Sequence, residues 1–316
     1  MFFRTLKSLV EYAFFLPVNA IARSLSFRGA RILGSALGAV AFSVVRYRRR
    51  ISLENLRRAF PDKPDAEIHR IAAGAYRGYG RSLVEMLWAG GADAEELKGI
   101  MRLEKPELPR AALGAGKGLI LLSGHFGSWE CIVGSISLHL GFPVTAIAQP
   151  LRNSFVDGVI TANRNRFGSG TITMHQSVRE VVKMLRAGKA VGMLGDQSGP
   201  KESVFIEFFG RPAATHRGAA AFSLKCDAPI VMFFVIREED GTYRTVFEPV
   251  DRSGLSGSSE ENIVELTKRH TAVLERFIRQ YPDHWLWMHR RWKHTAYYEA
   301  RTEEPARHEP ANQEVP

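Results

Sequence analysis

The stretch from Gly118 to Glu130, Gly-Leu-Ile-Leu-Leu-Ser-Gly-His-Phe-Gly-Ser-Trp-Glu, constrains this chain more than any other. An apolar run, Leu119 to Leu122, is cut off by Ser123-Gly124, and His125 follows at once. Gly127 and Ser128 prolong the turn, and Glu130 opens a new periodic segment. This order predicts a buried strand, a tight turn and a helix over Trp129–Leu140. Ligands of open α/β sheets collect at strand ends, so His125 is placed for chemistry. The five residues to Glu130 amount to about 140° of net helical rotation, off the shared face of a helix. The two side chains meet only if His125 lies in the turn and Glu130 in the first helical turn. A carboxylate there fixes the tautomer of a basic imidazole. The alternative is a buried turn histidine beside a solvated glutamate, and spacing alone does not separate the two.

Downstream, strands and helices alternate. Strands are expected at Val144–Ala148, Thr171–Met174, Ala190–Leu194, Ile230–Ile236 and Tyr243–Pro249. Helices are expected at Asn153–Phe167, Ser177–Ala187, Ala213–Lys225 and, capped by Ser259, up to Gln280. The pattern indicates an α/β fold with a central mixed, mostly parallel sheet and flanking helices. Two helices precede it, Ile51–Phe60 and one from a capping Asp65 to Trp88. The organisation expected is an N-terminal membrane-anchoring helical segment at 1–50, a catalytic domain at 51–298 and a disordered tail, rich in Pro and Glu, at 299–316.

Charge is unevenly spread. The net charge is +10, yet residues 1–50 alone hold nine Lys or Arg and a single acid, Glu11. These cations flank the apolar runs Tyr12–Ala22 and Ile32–Val45, a pattern drawn to an anionic membrane surface. Ile32–Val45 is fourteen residues, short of the roughly twenty that a perpendicular spanning helix needs. An interfacial anchor is therefore preferred over a single spanning helix from Leu25 to Tyr47. Gly34 and Gly38 would permit close helix contact. No small-residue cleavage site follows either run, which argues against a removed signal peptide. No basic face interleaved with aromatics marks a nucleic-acid partner. Cys131 and Cys226 make no disulfide framework and stand in no metal-ligand spacing.

Further polar groups sit at strand and helix ends. Gly195-Asp196-Gln197 follows an apolar strand as His125 does, so both turns are expected at one cleft, with Asp196 orienting a substrate or holding an arginine. An ordinary Asx turn is the plainer account. Arg164 and Arg166 suit phosphate binding, or simply a helix C-terminus. Val204–Arg211 reads as core strand or as the wall of an acyl-chain pocket. Trp285, Trp287 and Trp292 stand among His and Arg, which suits a headgroup interface or a segment docked on the core.

Taken together these blocks resemble the late acyltransferases of lipid A biosynthesis, the lauroyl/myristoyl-type branch of the lysophospholipid acyltransferase superfamily. The resemblance rests on His125-x4-Glu130, Arg164-x-Arg166-x-Gly168, Gly195-Asp196-Gln197 with Gly199-Pro200, Phe208–Thr215 and Trp285–Lys293, in order over roughly residues 5–295. It implies transfer of a fatty acyl chain from an acyl carrier protein thioester to a hydroxyl of a lipid A precursor or related glycolipid, at the cytoplasmic face of the cell inner membrane. It also implies that His125 acts as general base with Glu130 orienting it, that no acyl-enzyme forms, and that no metal or cofactor is needed. Arg164, Arg166, Asp196 and Gln197 then fall at acceptor-binding positions. Oxyanion donors are expected among backbone N–H groups near Gly127 or an arginine. One departure stands out: where family members often carry Arg-Pro after the second strand, this chain has Gln149-Pro150, with Arg152 as the nearest substitute cation. Another lysolipid or glycolipid acceptor, a glycerolipid acyltransferase, a membrane-bound thioesterase and a non-catalytic membrane protein are the competing readings.

Overall fold

The computed structural model of the protein describes residues 2–174 and 177–306. Five helices lead: α1 (Phe2–Ser24), α2 (Phe27–Ser43), α3 (Arg49–Ala59), α4 (Asp65–Ala89) and α5 (Ala94–Gly99). Then follow β1 (Met101–Glu104), α6 (Glu107–Gly114), β2 (Leu119–Ser123), α7 (Trp129–Leu140), β3 (Val144–Ala148), α8 (Ser154–Arg164), β4 (Gly170–Thr173), α9 (Ser177–Arg186) and β5 (Ala190–Leu194). The last third holds β6 (Val204–Phe208), β7 (Arg211–Thr215), α10 (Gly218–Cys226), β8 (Ile230–Arg237), β9 (Tyr243–Pro249), α11 (Glu260–Gln280) and α12 (Thr295–Ala306).

Seven strands form one sheet in the order β1-β9-β8-β2-β5-β3-β4, parallel throughout except for the β8–β9 pair. The mixed, mostly parallel sheet expected from alternation is the one that forms. All five residues of β2 are buried, because helices cover both faces of the sheet. Strand alternation divides them: Ile120 and Leu122 enter one core, Leu119 and Leu121 the other. Each fully buried leucine or isoleucine contributes about 1.5–3 kcal/mol of transfer free energy, which holds β2 at the centre. Helix α4 joins the two cores, with Ile68, Ile71 and Tyr76 in the first and Val84, Leu87 and Trp88 in the second.

Several expectations are corrected. Asp65 is the first helical residue of α4 and pairs with Arg57 instead of capping the helix. The helix expected over Ala213–Lys225 begins only at Gly218, because 211–215 pair with β6 as a hairpin. Its turn places Phe209 and Gly210 at positive φ, the twist that a two-residue hairpin loop needs, and buries Phe209. The run at 204–211 is thus a strand and turn, with Ile206 and Phe208 in the core. Of the two readings of the tryptophan segment, the one docked on the core is met: Trp285, Trp287 and Trp292 are all buried. Within the expected tail at 299–316, residues to Ala306 continue α12, and 307–316 lie outside the described residues.

Residues 1–50 do not stand apart as a free anchor. Helix α2 ends at Ser43 and packs along α4 at backbone contact. A Cβ on Gly38 would sit 2.2 Å from the Tyr76 carbonyl oxygen, and one on Gly80 2.1 Å from that of Gly34. The close contact read from Gly34 and Gly38 is therefore met by a third glycine on α4. Among the described residues no helix is long and apolar enough to cross a membrane, so the single span from Leu25 to Tyr47 does not form. The outer faces of α1 and α2 nonetheless expose Leu9, Phe14, Val18, Ile21, Ile32 and Leu37.

Gly38→Ala is expected to destabilise the protein by about 1–3 kcal/mol in denaturant titration, since backbone faces the new methyl. Leu37→Ala, on the exposed side of the same helix, is expected to leave the midpoint nearly unchanged.

Candidate active site

The site grows out of the pairing of β2 with β5. These parallel strands are in register from Leu119↔Ala190 to Ser123↔Leu194, and Gly195 N–H extends the ladder by donating to Ser123 O at 3.0 Å. Two residues past the last paired rung the chains are still side by side, so His125 and Asp196 become neighbours. His125 Nδ1 lies 2.7 Å from Asp196 Oδ1, and His125 backbone N–H donates to Asp196 Oδ2 at 2.9 Å. Trp285 Nε1 donates to the same Oδ2 at 2.8 Å.

The carboxylate in hydrogen-bond contact with the imidazole is thus Asp196, where Glu130 was expected. Glu130 does sit in the first turn of α7, as expected, but it faces Arg164 from the end of α8. Arg164 Nη2 donates to Glu130 Oε1 at 2.6 Å and its Nε to Oε2 at 3.0 Å, a bidentate pair. Glu130 reaches His125 only through its field. The physical reason is register: strand pairing delivers Asp196 beside the imidazole, whereas helix geometry swings Glu130 sideways.

Electrostatics follow. Burial opposes the charged imidazolium of His125, yet the Asp196 carboxylate, its hydrogen bond and the field of Glu130 raise the pKa above the ordinary value. Burial also opposes the Asp196 anion, but His125 and the Trp285 donor pull its pKa down to about 2. Asp196 is therefore ionised near neutrality and accepts from Nδ1–H. Nε2 is left as the lone-pair nitrogen, facing the Gln197 side-chain amide at 3.3 Å. Trp129 meets the ring edge-on at 5.2 Å, and Tyr79 stacks on Trp129.

The turn itself is clamped. Gly127 has φ +63°, and a Cβ there would fall 1.8 Å from the Val235 carbonyl oxygen. Its N–H donates to His284 O at 2.8 Å, so this group is not a free oxyanion donor. Leu286 N–H donates back to His125 O at 3.1 Å, which makes residues 284–286 a strand fragment along the turn. Ser128 Oγ donates to Glu85 Oε2 at 2.5 Å deep in the core. Burial raises the Glu85 pKa, against the pull of Ser128, Tyr243 and Arg31. Ser123 Oγ donates to Phe233 O at 2.6 Å. Burial pushes the Cys131 thiol well up. None of these three is presented as a nucleophile.

The remaining expected residues separate. Arg166 Nη1 donates to Ala89 O at 2.8 Å and its guanidinium lies over Phe167, so it caps the end of α4. Arg152 is exposed on the loop before α8, with no hydrogen bond or ion pair to the His125 group. His289, which sequence reading left inside a motif, accepts from Ser198 N–H at 3.0 Å, and burial lowers its pKa to about 4. It fixes the turn after Gln197. Trp285 and Glu85 also escaped the sequence reading; the first carried a signal in its tryptophan-rich run, the second none. Among the described residues no group of three or more His, Cys, Asp or Glu is arranged to hold a metal ion.

The described residues thus converge on one imidazole, held by a buried carboxylate on one nitrogen and facing an amide with the other. Such a centre can remove a proton from a hydroxyl. The family model for bacterial lipid A biosynthesis acyltransferases matches residues 2–294 of the chain. The chain is 27% identical over 263 residues to a lipid A biosynthesis palmitoleoyltransferase of Escherichia coli (strain K12), covering 83% of this chain and 84% of that one. It is 25% identical over 264 residues to the lipid A biosynthesis lauroyltransferase of the same organism, with 83% and 84% covered. A lipid A biosynthesis acyltransferase of Haemophilus influenzae is 28% identical over 180 residues, 56% of this chain and 54% of that one.

Asp196→Asn removes the charge that opposes burial, so the His125 pKa, read by NMR titration of the ring protons, is expected to fall below its wild-type value. Trp285→Phe, which removes one donor to Asp196, is expected to raise the carboxylate's pKa without moving His125 as far.

Proposed function

Because the chain belongs to the bacterial lipid A biosynthesis acyltransferases, we propose that it transfers a fatty acyl chain from an acyl carrier protein thioester to a hydroxyl of a lipid A precursor or related glycolipid, with His125 as general base. The observation that carries the mechanism is the Asp196–His125 pair, in which the carboxylate engages Nδ1 and makes Nε2 the lone-pair nitrogen of the neutral ring. Nε2 takes the proton as the hydroxyl oxygen attacks the thioester carbonyl. That attack forms the ester C–O bond; collapse of the tetrahedral intermediate restores the carbonyl and breaks C–S, and the imidazolium returns its proton to the departing thiolate. Asp196 stabilises that imidazolium, the part an acid plays in a hydrolase triad. Attack is direct, with no acyl-enzyme, since Ser123, Ser128 and Cys131 are committed to the scaffold.

Gln197, beside Nε2, orients the acceptor hydroxyl in this reading. Glu130 and Arg164 form the rim: Glu130 adds negative field at the imidazole, and Arg164, held rigidly by Glu130, lends one guanidinium edge to the acceptor. Access to a lipid acceptor comes through the exposed apolar faces of α1 and α2, lying on the cytoplasmic face of the inner membrane with their basic residues toward anionic headgroups.

His125→Ala is expected to lower acyl transfer from acyl carrier protein to the lipid by about 10²–10⁴-fold, read by mass spectrometry of the product. Unchanged transfer in this variant refutes the mechanism, and free fatty acid without acylated lipid assigns the site to hydrolysis. A base must be unprotonated, so activity should rise with pH, with its acidic limb above the ordinary imidazole value of about 6.5. Asp196→Asn should move that limb to lower pH while reducing the plateau rate.

A further inference from the structure

A second feature lies on the far side of the 285–293 segment. Asn55 on α3 donates through Nδ2 to Trp287 O at 2.9 Å and to His289 O at 2.7 Å, fixing α3 against this segment. Between them opens a groove of about 340 Å³, walled by Arg50, Glu54 and Arg58 on one side and by Arg290, Trp292 and Lys293 on the other. The Arg290-Arg291 pair splits: Arg291 is buried and donates to Ala214 O and Thr215 Oγ1, while Arg290 faces out. Four cations thus meet one carboxylate, and Glu54 is already held by Arg50 at 2.7 Å. Among the described residues Arg58, Arg290 and Lys293 have no ion-pair partner. Three unpaired cations converging on one concavity repel one another, an arrangement that an anion relieves.

The groove does not stand alone. An adjoining cavity shares Arg50 and Glu54 with it and adds Arg46, Arg49 and Arg57. Just before and among these residues the chain exposes Val44 at 74%, Val45 at 65% and Tyr47 at 54%. Cations bordering an exposed apolar edge match the layering of a bilayer surface, with phosphate outside acyl chain. A concave, Trp-walled groove of this size admits a headgroup, whereas the convex face of a folded protein meets only its rim.

We propose that Arg58, Arg290 and Lys293 form a binding site for the phosphate of a bilayer phospholipid headgroup, separate from the His125 centre. The identification of the source rests on the reading of α1 and α2 as a membrane-associated face. The site orients the protein on the membrane by fixing α3 and the 285–293 segment, which carries Trp285 to Asp196, at headgroup level.

The test uses the full chain and the triple variant Arg58→Ala, Arg290→Ala, Lys293→Ala. A control neutralises Lys183, Arg186 and Lys189, equally exposed cations on and just after α9. Calorimetric titration in neutral detergent with dioctanoyl phosphatidic acid should give binding on the order of 100-fold weaker in the triple variant, for three lost cation–phosphate contacts. The control should bind like wild type. In flotation, wild type should prefer phosphatidylcholine vesicles containing phosphatidic acid over phosphatidylcholine alone, and the triple variant should lose that preference. Equal loss in the control, or none in the triple variant, overturns the proposal. Competition by inorganic phosphate as strong as that of the lipid reassigns the groove to free phosphate and overturns the lipid assignment. A raised KM for the acyl carrier protein donor in the triple variant, with phosphatidic acid binding unchanged, makes the groove a protein-docking face and overturns it too. Should wild type float with neither vesicle yet bind soluble phosphatidic acid through these three residues, the membrane reading fails and the phosphate site stands.

Discussion

The parallel register of β2 against β5 is the constraint on which the rest depends. It carries a histidine and a carboxylate, 71 residues apart in the chain, to hydrogen-bond contact at the mouth of the sheet. A carboxylate as buried as Asp196 would be costly if left unpaired; breaking such a pair costs about 3–5 kcal/mol. The site meets that cost with three donors: the imidazole, the His125 backbone N–H and the Trp285 indole. The carboxylate they keep ionised in turn makes His125 a stronger base. Stability and chemistry here draw on one set of contacts.

Everything near the turn serves that geometry. Gly127 lets the chain pass against Val235, and the 284–286 fragment pairs with the turn as a strand would. Ser128 is tied down to Glu85, itself enclosed by Tyr243 and Arg31 from distant elements. Glu130 and Arg164 close the side that strand pairing leaves open. The imidazole therefore sits in a cage built from β2, β5, α4, α7, α8 and the C-terminal segment. Contacts of this kind fix the orientation of the ring.

Along the middle of α4 the glycine contact brings the N-terminal helices against the rest of the chain. Gly34, Gly38 and Gly80 let two backbones touch, so the apolar outer faces of α1 and α2 are carried as part of the same body. The arginines that follow α2 open onto a groove whose opposite wall belongs to the segment that clamps the histidine. Surface and site are thus mechanically linked through residues 285–293.

Much of this was legible in the residues. The strand, turn and helix around His125, the mostly parallel sheet and the glycine pair on α2 all follow from local periodicity and from where glycine is tolerated. Local pattern misled at Ala213–Ala214, where good helix formers are held as strand by a hairpin partner, and at Glu130, the carboxylate nearest in sequence. It left the tryptophans between a headgroup interface and a segment docked on the core, a choice that burial makes for the core. By itself the sequence determined that a histidine would stand at a buried strand's end with polar turns around it. Only the tertiary structure decided which acid holds that histidine, because the choice between Glu130 and Asp196 is made by strand register, and register is a property of two segments at once.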